Sequence, residues 1–213
     1  MKKALYGLLA AGAAIAAATP AAADTGPDSV NRIYDAGRCM VVEDRYTAVS
    51  LLQRLPIDGE AVDLSTLSER SRRCARGLSS ADTLHLRGAI AQALFFRDFG
   101  GFGHEPRRSA PLVNLAIPVE QTQGTGRTVQ LYRWSDCLVR NDAPHTERLL
   151  SSSFGSRGEA AAIERLRAFM IACAPQGAQL AVQPAELRSL LAQSAYHSMY
   201  RYWTDQLSPV RDQ

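Results

Sequence analysis

With 213 residues and a formal net charge of only +3, the chain gives no basis for nucleic-acid binding or for steering to an anionic membrane. Its only lysines are Lys2 and Lys3, so beyond them it carries 22 arginines against 21 carboxylates, a balance of about +1. The missing lysine excludes a Walker-type phosphate loop, a Schiff-base enzyme and a Ser-Lys hydrolase.

The first 23 residues read as a secretory signal. Lys2 and Lys3 form a short positive end, an Ala/Leu-rich stretch follows, and Ala21-Ala22-Ala23 supplies the small residues that signal peptidase needs. Cleavage is expected after Ala23. No Cys stands at the cut site, and no later segment is long and apolar enough to cross a bilayer. The expected product is a soluble periplasmic or secreted protein.

Beyond the signal the chain repeats itself. Ile33-Tyr34 and Cys39-Met40-Val41 are answered by Leu131-Tyr132 and Cys137-Leu138-Val139. Gly59-Glu60-Ala61 is answered by Gly158-Glu159-Ala160, Cys74-Ala75 by Cys173-Ala174, and Leu86-Arg87 by Leu187-Arg188. The offset drifts only from 98 to 101, as small loop insertions would produce. We read a tandem duplication with copies at 30–99 and 128–205, joined by a Gly- and Pro-containing connector at 100–127.

Each copy reads as four helices. The first covers residues 33–42, with residues 24–29 loose before it. Asp44 and Asp142 fall where the N-cap of the second helix belongs, and Pro144 suits the first turn that follows. The second helix carries Val49, Leu52 and Leu55 and stops near Pro56. The third carries Leu64, Leu67 and Cys74, matched by Ile163, Leu166, Met170 and Cys173, all at helical spacing. The fourth covers residues 81–99, with its twin at 184–203. In the connector, residues 112–119 alternate in part and contain Pro118, which suits an extended arm over the helices. The fold class expected is therefore all-α: a four-helix, one-disulfide unit, twice, packed into one body. Copies of about 70 residues are marginal alone.

All four cysteines are repeat positions, and four allow three pairings. We expect Cys39–Cys74 and Cys137–Cys173, because an ancestral single copy had to pair within itself; the spacings of 35 and 36 residues agree. The repeated Arg87 and Arg188 are expected to clamp the repeated acids Glu60 and Glu159 within each copy. The third helices diverge: Arg70-Ser71-Arg72-Arg73 is basic, whereas Phe169-Met170-Ile171 is apolar. We expect the apolar helix to be buried centrally; a homodimer surface is the alternative.

No motif points firmly to chemistry. His85, His104, His145 and His197 lie at no helical metal-pair spacing, and no cysteine has a second ligand nearby, so neither metal nor cofactor is expected. His104-Glu105 in the connector reads as a solvated loop. Phe154-Gly155-Ser156 has the wrong spacing for a nucleophile elbow. Phe95, Phe96, Phe99 and Phe102 cluster in the first copy and Tyr196, Tyr200, Tyr202 and Trp203 in the second. We read these rings as sealing the copies together, with a binding groove as the alternative.

The half-repeat, Tyr-x4-Cys-hydrophobic-Val, then Leu-Leu, Cys-Ala and Leu-Arg-x3-Ala-Gln, resembles exported proteins of GC-rich Gram-negative bacteria with no assigned function. That resemblance implies no active site. The expected role is a non-catalytic binding or interaction module of unknown partner; the rival is a small periplasmic enzyme with its site between the copies.

Overall fold

The computed structural model describes residues 27–53, 62–79, 82–103, 126–174 and 182–207. Among the described residues it holds eight α-helices and no strand. They are α1 (Pro27–Glu43), α2 (Arg45–Leu52), α3 (Glu69–Cys74), α4 (Thr83–Leu94), α5 (Gly126–Asn141), α6 (Ala143–Ser151), α7 (Arg157–Cys173) and α8 (Pro184–Leu207). The signal segment, Glu60, His104-Glu105 and the arm at 112–119 lie outside the described residues.

The two halves carry like features in like order. Asp44 caps α2 by accepting from Thr47 N, and Asp142 caps α6 by accepting from His145 N. Cys39–Cys74 ties α1 to α3, and Cys137–Cys173 ties α5 to α7. Each closed loop contributes ~4 kcal/mol in the chain-entropy account. α1 packs on α4 as α5 packs on α8, and the two pairs join through α4 and α8, which share the most extensive interface. One hydrophobic core draws on both halves, with Ile33, Met40, Leu86 and Ile90 from the first and Leu138, Leu149, Leu166 and Leu191 from the second.

Three local expectations need correction. α1 begins at Pro27, so residues 27–29 are helical rather than loose; Pro27 at the start and Asp28 in the first turn suit a helix N-terminus. The third helix of the first half is only Glu69–Cys74, and Leu64 sits in a separate 3-10 turn, Leu64–Thr66. Short polar side chains break the helix there. Asp63 accepts from Ser65 N at 2.9 Å, Thr66 Oγ1 donates to the Asp63 carbonyl at 2.8 Å, and Ser68 caps a fresh start. The corresponding stretch of α7 reads Ala160-Ala161-Ala162-Ile163, which has no such competition.

The third correction concerns α7 itself, which is peripheral. It packs on α5 and α6 through Ala162 and Leu166, and Trp134 Nε1 donates to the Met170 carbonyl at 2.9 Å. Phe169 is 36% exposed and Ile171 is 73% exposed. The central helices are α4 and α8, and the outer face of α7 stays exposed at Ile171.

The fourth helix of the first half runs on from α4 as a π-helical turn, Phe95–Phe99, and ends at Gly100. Gly100 has φ 68°, the left-handed region where glycine carries no side-chain penalty and closes a helix.

Candidate functional site

The crossing of α4 and α8 organises the candidate site. Gly88 stands where Ser189 stands in the other half, and the two face each other. A Cβ on Gly88 would lie 2.1 Å from Ser189 Oγ and 2.4 Å from Ser189 Cα. Only glycine allows the helices to meet this closely. A glycine inside a helical pattern is the sequence signal for such an approach.

Arg188 of the second half reaches across this axis to the first. Arg188 Nε donates to Gln92 Oε1 at 3.2 Å, and the Arg188 guanidinium carbon lies 5.5 Å from the centroid of the Tyr34 ring. Burial pushes the Tyr34 phenol well above its usual range, opposed by the charge of Arg188. In the other half Tyr132 Oη donates to Gln193 Oε1 at 2.8 Å. The Tyr132 phenol is likewise raised by burial, with Arg87 opposing.

Arg188 is the most deeply buried charged side chain among the described residues, at 2% exposure. Its Nη1 donates to Glu159 Oε1 at 2.5 Å, and its Nη2 donates to the carbonyls of Leu149 at 2.8 Å and Leu150 at 3.1 Å, and to that of Ser152. Glu159 in turn accepts from Gly155 N at 2.6 Å. This is a structural clamp: the guanidinium fork satisfies carbonyls at the end of α6, and Glu159 neutralises it. The Glu60 partner expected for Arg87 lies outside the described residues. Ser156 caps α7 by accepting from Glu159 N at 3.1 Å.

Asp44 does more than cap. Its Oδ2 accepts from Thr47 Oγ1 at 2.7 Å, from Ser71 Oγ at 3.0 Å and from Ser68 Oγ, pinning the start of α3 to the start of α2. These hydroxyls, Ser68 first, hold its carboxyl at about 2. Asp142 instead accepts from His145 Nδ1 at 2.8 Å.

Two grooves flank the crossing. The first, of about 440 Å³, lies between α1, α4, the π turn and the end of α6. Val41, Val42, Ala93, Phe96 and Leu150 make it mainly apolar, while Arg38 and Arg97 stand in its wall. Arg97 is fixed by donating to the Val41 carbonyl. The second, of about 330 Å³, lies between α2 and α8. Leu52 and Gln53 there correspond to Leu150 and Ser151 of the first groove, and His197 corresponds to Phe96.

The aromatic residues divide between sealing and lining. Phe95 is buried against Phe96 and Phe102, with centroids 5.0 and 4.8 Å away. Phe99 meets Tyr196 across the halves at 5.9 Å. Tyr200 stacks on Tyr196 at 6.0 Å and is 46% exposed, so this end of α8 forms an open ledge. Burial raises the Tyr196 phenol to about 12. His197 is pushed down to about 4 by burial, with Arg87 and Arg201 adding to the effect, so it is neutral at physiological pH. Its Nε2 is buried and meets no hydrogen-bond partner among the described residues.

Among the described residues no group of three or more His, Cys, Asp or Glu is placed to hold a metal ion, and no helix is long and apolar enough to cross a membrane. Two disulfides and the absence of free cysteines among the described residues fit an oxidising compartment. Comparison with known protein families, with curated proteins and with solved structures yields no match.

Proposed function

We propose that the chain is an exported, non-catalytic binding module built from a duplicated helical unit, and that the groove between α1, α4 and α6 is its binding surface. The observation that carries this reading is that groove. It offers an apolar surface of ligand-binding size, with Val42 at 71% exposure beside it and two arginines in its wall. A ligand with an apolar body and acceptor groups opposite Arg38 and Arg97 suits it. The pairing of Gly88 with Ser189, and the crossed Arg188–Gln92 contact, support descent of both halves from one unit. The signal-like N-terminus and the two disulfides support export to the periplasm or beyond.

The test uses the neutral apolar dye N-phenyl-1-naphthylamine on the oxidised protein. Saturable fluorescence enhancement is expected, and Ala93→Trp, which fills the groove, should weaken it by about tenfold or more without altering the circular dichroism. Equal binding by the filled variant would overturn the assignment of the groove.

A second reading, self-association, is favoured by the exposed Phe169 and Ile171 on α7. Light scattering that gives a dimer for the native chain and a monomer for Ile171→Glu would establish it. A monomer at high concentration would dismiss it.

A further inference from the structure

We infer that the groove between α1, α4 and α6 takes a single-chain amphiphile with an anionic head, a medium-chain fatty acid being the simplest, and that Arg97 receives the head. This rests on the reading of that groove as the binding surface and names its ligand. The floor is one face of α4 and of the π turn that continues it: Ala89, Ala93, Phe96 and Arg97 follow one another there at helical spacing. At 1.5 Å per residue the stripe from Ala89 to Arg97 is about 12 Å long, the reach of a medium alkyl chain. Gly37 sets α1 directly beside this floor, since a Cβ there would lie 2.7 Å from the Ala89 carbonyl carbon. Val41 and Val42 of α1 and Leu150 of α6 supply the walls, so most of the apolar lining is aliphatic.

The charges specify the head. None of the residues lining the groove is acidic. Arg97 donates to the Val41 carbonyl, which fixes the guanidinium without neutralising it, and no carboxylate among the described residues bonds to it. The next residue, Asp98, is bound instead to Arg45 at 2.8 Å. Arg38, the other cation in the wall, is already bound to Asp35. Arg97 is exposed, so a ligand reaches it. An anionic oxygen pair accepts from a guanidinium fork in a charge-assisted bond, whereas a cationic head would meet like charge. The second half places the buried Ser198 at the position of Arg97, so the cation belongs to this groove alone.

Displacement of N-phenyl-1-naphthylamine from the oxidised full-length chain tests the assignment, with decanoate, decyl phosphate, decyltrimethylammonium and acetate as competitors below their micelle concentrations. Decanoate and decyl phosphate should both compete, and the tighter of the two identifies the head as carboxylate or phosphate. The ammonium of the same chain length and the chainless acetate should each be about tenfold weaker than decanoate or worse. Arg97→Gln should cut the preference for decanoate over the ammonium by about tenfold, and Arg38→Gln should cut it less. The competitor series is read on the native protein, so it stands whether or not the variants fold. Dye that binds saturably but yields to no competitor, or equally to decanoate and the ammonium, would keep the groove and overturn this inference. A preference that survives Arg97→Gln would overturn it as well. No saturable dye or decanoate binding by the native protein would overturn the groove reading and this inference together.

Discussion

Gly88 and Ser189 occupy equivalent positions in the two halves and touch at the crossing of α4 and α8, so close that a single added carbon would strike the Ser189 main chain at 2.4 Å. The joint between the halves therefore rests on a missing side chain. Gly88→Ala should destabilise the fold by about 1–3 kcal/mol or more, despite the better helix propensity of alanine. Pairing it with Ser189→Gly should not restore stability fully, because the clash with Cα remains. Denaturant unfolding of the two variants checks both statements; full rescue would show that the contact lies in the serine side chain alone.

Arg188 stabilises by satisfying other groups. Arg188→Met would leave Glu159 buried without its cation and three carbonyls at the end of α6 without their donor. The expected loss is about 3–5 kcal/mol. Arg188→Lys should recover little of it, since one ammonium cannot span Glu159, Gln92 and those carbonyls together. A double-mutant cycle with Glu159→Gln measures the share owed to the ion pair.

How much of this was legible in the sequence depends on whether a residue type announces its partner. A repeated Cys or an Asp before a helix has few uses, so the cysteine pairs and the caps at Asp44 and Asp142 could be read from the repeat. Arg188 with Glu159 was readable for the same reason, as two repeated opposite charges. The carbonyls of Leu149, Leu150 and Ser152 were not, because a main-chain acceptor leaves no mark on residue identity. The length of α3 was misjudged because Asp63, Thr66 and Ser68 compete locally with a helix that the apolar spacing favours. The exposure of Ile171 was misjudged because composition states what a helix could bury, while the crossing of α4 and α8 decides what neighbours it has. The grooves are products of that crossing; Gly88, and His197 in place of Phe96, were the traces they left.

Asp44 should govern the acid limb of stability in the first half. Its folded carboxyl titrates at about 2 against an ordinary 3.8, so its contribution is complete above the ordinary value and is lost as pH falls through about 2. The group is half-buried at the surface, so the effect is partly screened. Asp44→Ala should cost about 1 kcal/mol near neutrality, chiefly as a lost cap. The gap between variant and native protein should close on acidification to pH 2, as followed by thermal unfolding at fixed ionic strength. A gap that stays constant with pH would mean that the carboxylate charge is not what binds Ser68, Thr47 and Ser71.

His197 acts in the opposite sense from a paired histidine. Its folded pKa of about 4 lies below the ordinary 6.5, so between those values the unfolded chain holds more protons and stability rises with pH. The stability this burial withdraws is absent above 6.5 and grows to as much as ~3 kcal/mol as pH falls to about 4. His197→Phe removes the titrating group while filling the space with the ring that the other half uses at Phe96. The variant should therefore match or exceed the native protein at pH 5 and lose part of the pH slope between 4 and 6.5. Urea unfolding across that range measures the slope directly, and an unchanged slope in the variant would place the proton uptake at another residue.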